Sequence, residues 1–323
     1  MNESITISIK LILKMKIKRL LSFFNKNSWG ELLTYLSGQK VLLYAFVYCI
    51  FNGITDDSLE LLRKGIDIKI NQRLFRRYTK LMYTMDDSYV PHKHEIVKRV
   101  WTYKCPETTS HPLMWHKCYQ SISLQFKDYE IIVLSEDNIN DYISLPDSIW
   151  KKYKSALMTR NDFIEVISVS ILSKYGGVWI SPKVYCSPLC DIPAYMKTAE
   201  FFIMQNLKPS SDASVLNTDM NYISCQTGCY MLIVLRELLW DYWSSTKNVP
   251  DSITRHLLNV ISQRYQSKFD SIYKYPYQLA YLFSLSIKSN ADREELNMLL
   301  RSNPIHILDE AIFLNKPEDV ILI

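Results

Sequence analysis

The residues most able to do chemistry in this chain follow two short apolar runs. After Val178-Trp179-Ile180 come Ser181-Pro182-Lys183, and after Val100 come Trp101, Thr102 and Tyr103. A lysine ammonium in such a place is a point charge suited to phosphate. Aromatic rings suit sugars and bases, although most rings in any protein are core. Hydrolase chemistry is not indicated, because Ser181 and the seven cysteines have no histidine or second base at a recognisable spacing. No CxxC pair occurs, and His92/His94 and His111/His116 lack a third ligand. No GxGxxG or Walker pattern accompanies Gly176-Gly177, which reads as a tight structural turn. No Asp-x-Asp occurs anywhere. The carboxylate pairs at that spacing, Asp128/Glu130 and Asp292/Glu294, lie away from the strand ends.

Positioning these residues takes a sheet. Ile96 to Tyr103, Tyr129 to Leu134, Val178 to Ile180 and Phe201 to Asn206 are short runs of β-formers. Between them, helices are expected over Pro112 to Gln125, Ser148 to Ser155 and Asp162 to Lys174, the last stopped by Gly176. This alternation predicts an α/β domain with a mainly parallel sheet, spanning residues 91–323. Ligands of such sheets bind beyond the carboxyl ends of the strands, which singles out the residues after Ile180 and Val100. Helices over Tyr230 to Ser244, Ile253 to Tyr265, Tyr277 to Ile287 and Asp292 to Arg301 follow, then extended pieces near Ile305 and Ile321.

Residues 1–90 have a different texture, helical and basic. Helices are expected over Ser28 to Ser37, Val41 to Phe51, Asp56 to Lys64 and Asn71 to Met85. Between Lys10 and Lys26 there is no acid, and Lys10, Lys14 and Lys18 form a stripe opposite Ile9, Leu13, Ile17, Leu20 and Phe24. Residues 9–26 therefore suit peripheral contact with an anionic bilayer, or equally a helix packed on its own domain with a solvated lysine face. The longest apolar run, Val41 to Phe51, is about half the length of a bilayer span. With no evident signal peptide and scattered cysteines, the expectation is a cytoplasmic protein at the inner membrane face. A formal net charge of +5 is too mild to call for nucleic acid.

From Val97 onward the order of motifs resembles the bacterial capsular polysaccharide synthesis proteins, relatives of glycosyltransferase family 32. The resemblance rests on Lys98-Arg99-Val100-Trp101-Thr102-Tyr103, Pro112, Cys118-Tyr119-Gln120-Ser121, the strand Tyr129 to Leu134, Asp137-Asn138, and Tyr142-Ile143-Ser144-Leu145-Pro146. It continues through Asn161-Asp162-Phe163-Ile164-Glu165 into Tyr175-Gly176-Gly177-Val178-Trp179-Ile180-Ser181. The motifs span about Val97 to Pro188, and Pro304-Ile305-His306 matches the short closing histidine segment more weakly.

The resemblance implies a GT-A-like domain, a nucleotide-diphosphate sugar donor, a capsular or lipopolysaccharide-type glycan or lipid-linked glycan acceptor, and retention at the anomeric carbon. It places Trp101 and Tyr103 against the nucleotide base, Asp162 on the donor sugar and His306 near phosphate; of the two rings, Tyr103 is the one expected exposed. Each has a plainer reading: sheet core for the rings, an ordinary helix N-terminal charge for Asp162, a turn histidine for His306. The family holds Mn²⁺ or Mg²⁺ with Asp-x-Asp after its third strand. Here that position reads Ser181-Pro182-Lys183, and the helix arginine of the family is Glu165, so the metal ligands are lost. Two readings follow. Either Lys183 replaces the metal on the diphosphate, with Glu165 positioning it, or Lys183 and Glu165 are an ordinary ion pair in an inactive, transferase-like binding protein.

Overall fold

The computed structural model describes residues 14–90, 93–104, 112–205, 218–246, 252–275 and 278–308. Four helices open it: α1 (residues 14–23), α2 (Trp29–Gly38), α3 (Leu42–Asn52) and α4 (Asp56–Ser88). The two helices expected over 56–64 and 71–85 are one helix of 33 residues. Leu59, Leu62, Ile66, Ile70, Leu74, Tyr78 and Met82 form an unbroken buried ladder at helical spacing, which carries the helix through the expected gap. Gly65 is a packing glycine within it, because a Cβ there would collide with the Tyr44 hydroxyl of α3. Thr55 and Ser58 close its N-terminus as a reciprocal capping box.

The remaining chain runs β1 (Arg99–Tyr103), α5 (Pro112–Gln125), β2 (Glu130–Leu134), α6 (Ile139–Tyr142), α7 (Asp147–Lys154), α8 (Arg160–Tyr175), β3 (Gly177–Ile180), β4 (Val184–Cys186), α9 (Ala194–Thr198) and β5 (Phe201–Gln205). Then follow β6 (Thr218–Cys225), α10 (Tyr230–Ser245), α11 (Ile253–Arg264), α12 (Gln266–Asp270), α13 (Gln278–Lys288), α14 (Arg293–Ser302) and β7 (Ile305–Ile307). The main sheet has the order β2-β1-β3-β6-β5. β1 is parallel to both β2 and β3, while β6 is antiparallel to both β3 and β5. Four of the five strands thus point the same way, and β6 alone is reversed. β4 and β7 form a separate antiparallel ribbon.

Strand alternation divides the core between the two faces of the sheet. Trp101, Trp179, Ile203 and Ile223 face α8, α10 and α11, whereas Val100, Val178, Phe202 and Tyr222 face the layer holding α5 and the β4–β7 ribbon. Helix α4 packs on α11 and α10, so Leu59 to Met82 share the first of these clusters. The apolar core is continuous across residue 90, where the sequence changes texture. Between α4 and α11, buried His256 hydrogen-bonds Asn71 at 2.7 Å. Its Nε2 lies 3.8 Å from Asp67, yet burial, helped by the nearby Arg255 charge, pushes its pKa down to about 3, so this contact joins a neutral imidazole to Asp67.

The described part of the basic N-terminal segment packs on the domain. Leu20 and Phe24 are in the core, and Lys14, Lys16 and Lys18 are solvated. Residues 9–13 of the stripe, and the extended piece near Ile321, lie outside the described residues.

Candidate functional site

The join between α8 and β3 fixes the site. Gly176 and Gly177 have φ of 66° and 99°, a left-handed backbone that side-chain-bearing residues rarely adopt. A Cβ on Gly177 would stand 2.6 Å from the Arg99 carbonyl oxygen, so glycine lets β3 close on β1. The chain then leaves β3 in a turn in which Val184 N–H donates to Ser181 O at 2.9 Å, with Pro182 at the position where its fixed φ is favoured. Lys183 occupies the next turn position, and its carbonyl accepts from Leu308 N–H at 2.9 Å. Ser181 N–H donates to Asn221 O at 2.8 Å, tying the turn to the start of β6. Because β6 is reversed, its first residues lie at the same edge as the carboxyl ends of β1 and β3.

A polar cavity of about 260 Å³ opens at this edge. Four cationic side chains from four elements line it: Lys104 after β1, Arg160 on α8, Lys183 in the β3–β4 turn, and Arg255 on α11. The first turns of α8 and α11 also face it, through Asn161 and through Ser252, which caps α11 at φ 58°. The start of α11 has no side-chain cap and adds partial positive charge and free N–H groups to an anion-binding field, whereas the start of α8 is already closed by the Thr159–Asp162 capping box. The Arg160 guanidinium donates to Lys104 O at 2.9 Å and lies 5.1 Å over the Tyr103 ring. Glu165 and Asp219 line the same cavity.

Asp219 is held in place by its neighbours. Its Oδ1 accepts from Asn221 N at 2.8 Å and Asn221 Nδ2 at 2.7 Å, and its Oδ2 from the Tyr281 hydroxyl at 3.3 Å. Glu165 is half-buried, with Oε2 enclosed and without a hydrogen-bond partner. Burial lifts its pKa to about 7; Asp162 and Asp219 add to the rise, while Thr254 and Arg255 oppose it. No ion pair joins Glu165 to Lys183 among the described residues. The pairing expected between them is therefore corrected: both line the cavity separately, and Glu165 is governed by the start of α11.

An adjoining apolar cavity of about 330 Å³ shares Lys104, Trp115 and Pro182 with the polar one. Tyr103, His116, Tyr119, Ile122 and Val133 are among its other walls. Tyr103 reaches this cavity but is only 2% exposed, with its hydroxyl unpartnered and its pKa pushed up by burial. The expectation of an exposed Tyr103 is corrected, because Arg160 covers its ring.

Trp101 follows its plainer reading as sheet core: it is buried, donates from Nε1 to Gly176 O at 3.0 Å and meets Tyr142 edge-on, so the base contact implied by the resemblance is not kept. Two further expectations are corrected. Asp162 is absent from the cavity wall, because its carboxylate turns back to the α8 N-terminus. There Oδ2 accepts from the Thr159 hydroxyl at 2.6 Å, half of a capping box. His306 is fully buried in β7 opposite Tyr185 and against Phe283, and burial pushes its pKa down to about 4, leaving it neutral and out of reach of phosphate. Lys183, Ser181 and Glu165 do line the polar cavity. Sequence reasoning missed Asp219, Asn221, Arg160, Arg255 and Lys104. Lys104 and Arg160 could have been found, since one follows the first strand directly and the other borders the Asn161-Asp162 motif.

Among the described residues, the cavity's donors do not fit the divalent metal that the resemblance implies. Mg²⁺ and Mn²⁺ need several oxygen ligands, with charged carboxylates among them. Both Asp219 oxygens are engaged, Glu165 is close to half-protonated at neutral pH, and four cations share the space. Among the described residues no three His, Cys, Asp or Glu side chains are grouped to hold a metal.

Comparison with known proteins adds the family. No curated protein matches the chain. Among solved structures, a chain titled "PaToxG Glycosyltransferase" is 11% identical with a TM-score of 0.36, covering 82% of this chain and 97% of that chain, a likeness too slight to carry an argument. The model of a family described as "Capsular polysaccharide synthesis protein" matches residues 59–317, from within α4 almost to the end. On that match, which takes in most of its length, the chain belongs to the capsular polysaccharide synthesis protein family.

Proposed function

We propose that the protein is a glycosyltransferase that moves a sugar from a nucleoside-diphosphate donor to a surface-glycan acceptor without a divalent metal. The observation that carries this reading is the convergence of Lys104, Arg160, Lys183 and Arg255 on one polar cavity at the carboxyl edge of the sheet. Breaking the anomeric bond leaves the diphosphate with an added negative charge, and catalysis needs fixed positive groups where that charge appears. Four cations and the N-terminus of α11 supply them without a metal. The adjoining aromatic-lined cavity is of a size and polarity to take the base, between Trp115 and Tyr119, with the diphosphate crossing at Lys104.

Glu165 is the group for proton traffic. A carboxyl with a pKa of about 7 can hold or release a proton at neutral pH. Facing the donor sugar, it serves to orient a hydroxyl or to relay the acceptor's proton. Retention at the anomeric carbon and a lipid-linked acceptor are carried over from the resemblance as part of the proposal. We favour this over an inactive, transferase-like binding protein because the cavity is open and Lys183 lines it; the absence of a Lys183–Glu165 pair removes the positioning role given to Glu165 and does not by itself choose between the two.

The test is turnover of a panel of UDP- and GDP-sugars in chelator, followed by release of the nucleoside diphosphate with and without added glycan. Release from one donor in chelator, lost in Lys183→Ala, is the expected result. Release from none of them, or only after Mn²⁺ is added, contradicts the proposal.

A further inference from the structure

We infer that α3 is an interfacial anchor whose outer face inserts into an anionic phospholipid surface. The helix has no charged residue in its 11 positions. Leu43, Phe46, Val47, Ile50 and Phe51 recur at i, i+3, i+4, i+7 and i+8, so they share one face, and that face is left to solvent at 42–81% exposure. The opposite face is occupied: Ala45 is buried, and Tyr44, Tyr48 and Cys49 pack on the core. A contiguous stripe of five large exposed apolar side chains is far from the scattered single residues of an ordinary soluble surface.

Charge identifies the occupant. Residues 1–55 hold seven basic side chains and two acidic ones, a net +5, while the rest of the chain holds 31 of each. The whole formal excess of the protein thus sits in the segment that carries α3. Lys40 is exposed just before the helix. An exposed apolar face carried by the net-basic segment matches the acyl region and headgroups of an anionic leaflet. A second copy of the same face would bring two net-positive segments together, which charge repulsion opposes.

Insertion here is shallow. At about 1.5 Å per residue α3 is roughly half the thickness of the hydrocarbon core. Its continuation with α2 is bent by 116°, and among the described residues no single helix is long and apolar enough to span. The contact expected from residues 9–26 is therefore assigned to α3, whose apolar face is exposed. Membrane binding of this kind is independent of the transferase reading, since its readout involves no nucleotide.

The experiment is flotation of the full chain with vesicles of phosphatidylcholine alone or mixed with phosphatidylglycerol, for wild type and for the double variant Phe46→Glu/Ile50→Glu. Both positions are exposed, so an unchanged thermal midpoint is expected for the variant. Wild type should float with the anionic vesicles, less so at high salt, and the variant should lose about tenfold or more in partitioning. Three results overturn the inference: wild type staying in the soluble fraction, the variant floating equally well, or wild type being a dimer that the variant dissociates without vesicle binding.

Discussion

Replacing Glu165 with glutamine is expected to stabilise the protein at alkaline pH and to change it little in acid. The folded pKa is raised, to about 7 from 4.5. A raised carboxyl value means that its stability contribution is fully present below about 4.5 and is lost as pH rises through about 7. At about 1.4 kcal/mol per unit the gap is worth roughly 3 kcal/mol, and the partial solvent contact of the side chain trims this to about 2. Glutamine keeps the shape and never ionises, so it escapes that loss. In a chain of this length about 2 kcal/mol corresponds to roughly 3 °C in thermal midpoint. The assay is the midpoint of both proteins from about pH 5 to about pH 9, a range that brackets the shifted carboxyl. The change of their difference with pH carries the test, because an unpaired amide would offset both ends alike. A difference that stays constant across pH, or a variant less stable only at alkaline pH, refutes a buried, neutral-poised Glu165.

Other outcomes follow from the same contacts. Gly177→Ala should cost about 1–3 kcal/mol or more by chemical denaturation, because φ of 99° and the Arg99 carbonyl at 2.6 Å both exclude a Cβ. His256 and His306 have folded pKa values of about 3 and about 4 against 6.5 unfolded. Depressed values mean stability is present above about 6.5 and lost as pH falls, by about 1.4 kcal/mol per unit for each histidine between roughly pH 6 and pH 4. His256→Gln should flatten that acid limb by about half in urea titrations, and an unchanged limb would contradict a buried neutral His256.

Much of the sheet edge is legible in the sequence, because its signals are local. Gly176-Gly177 stops α8 and opens β3, Pro182 sets the turn, and the apolar runs of β1 and β3 are short and clean. The missed parts depend on long-range packing. β6 mixes Thr218, Asp219 and Asn221 with Met220, Tyr222 and Ile223, since one end of it lines a polar cavity while the other lies in the core. That mixture hides both the strand and Asp219. Arg255 reaches the site only because α11 folds back against β6 and against α8, which lies far earlier in the sequence. The expected helix stops at Lys64, just before Gly65, whose reason for being glycine, Tyr44, lies on another helix. Asp162 and Trp101 sit in motif positions, yet a capping box and the sheet core claim them. Motif order locates the site, and only packing decides which side chains reach it.

The most direct test of a metal-free diphosphate cavity is calorimetry of UDP and GDP in EDTA, then in Mn²⁺, on wild type and Lys183→Ala. Binding in EDTA that Mn²⁺ leaves unchanged, weakened about 10- to 100-fold in Lys183→Ala, is the predicted result, as removal of one charged phosphate contact implies. Binding that requires Mn²⁺, or that Lys183→Ala leaves intact, would contradict it.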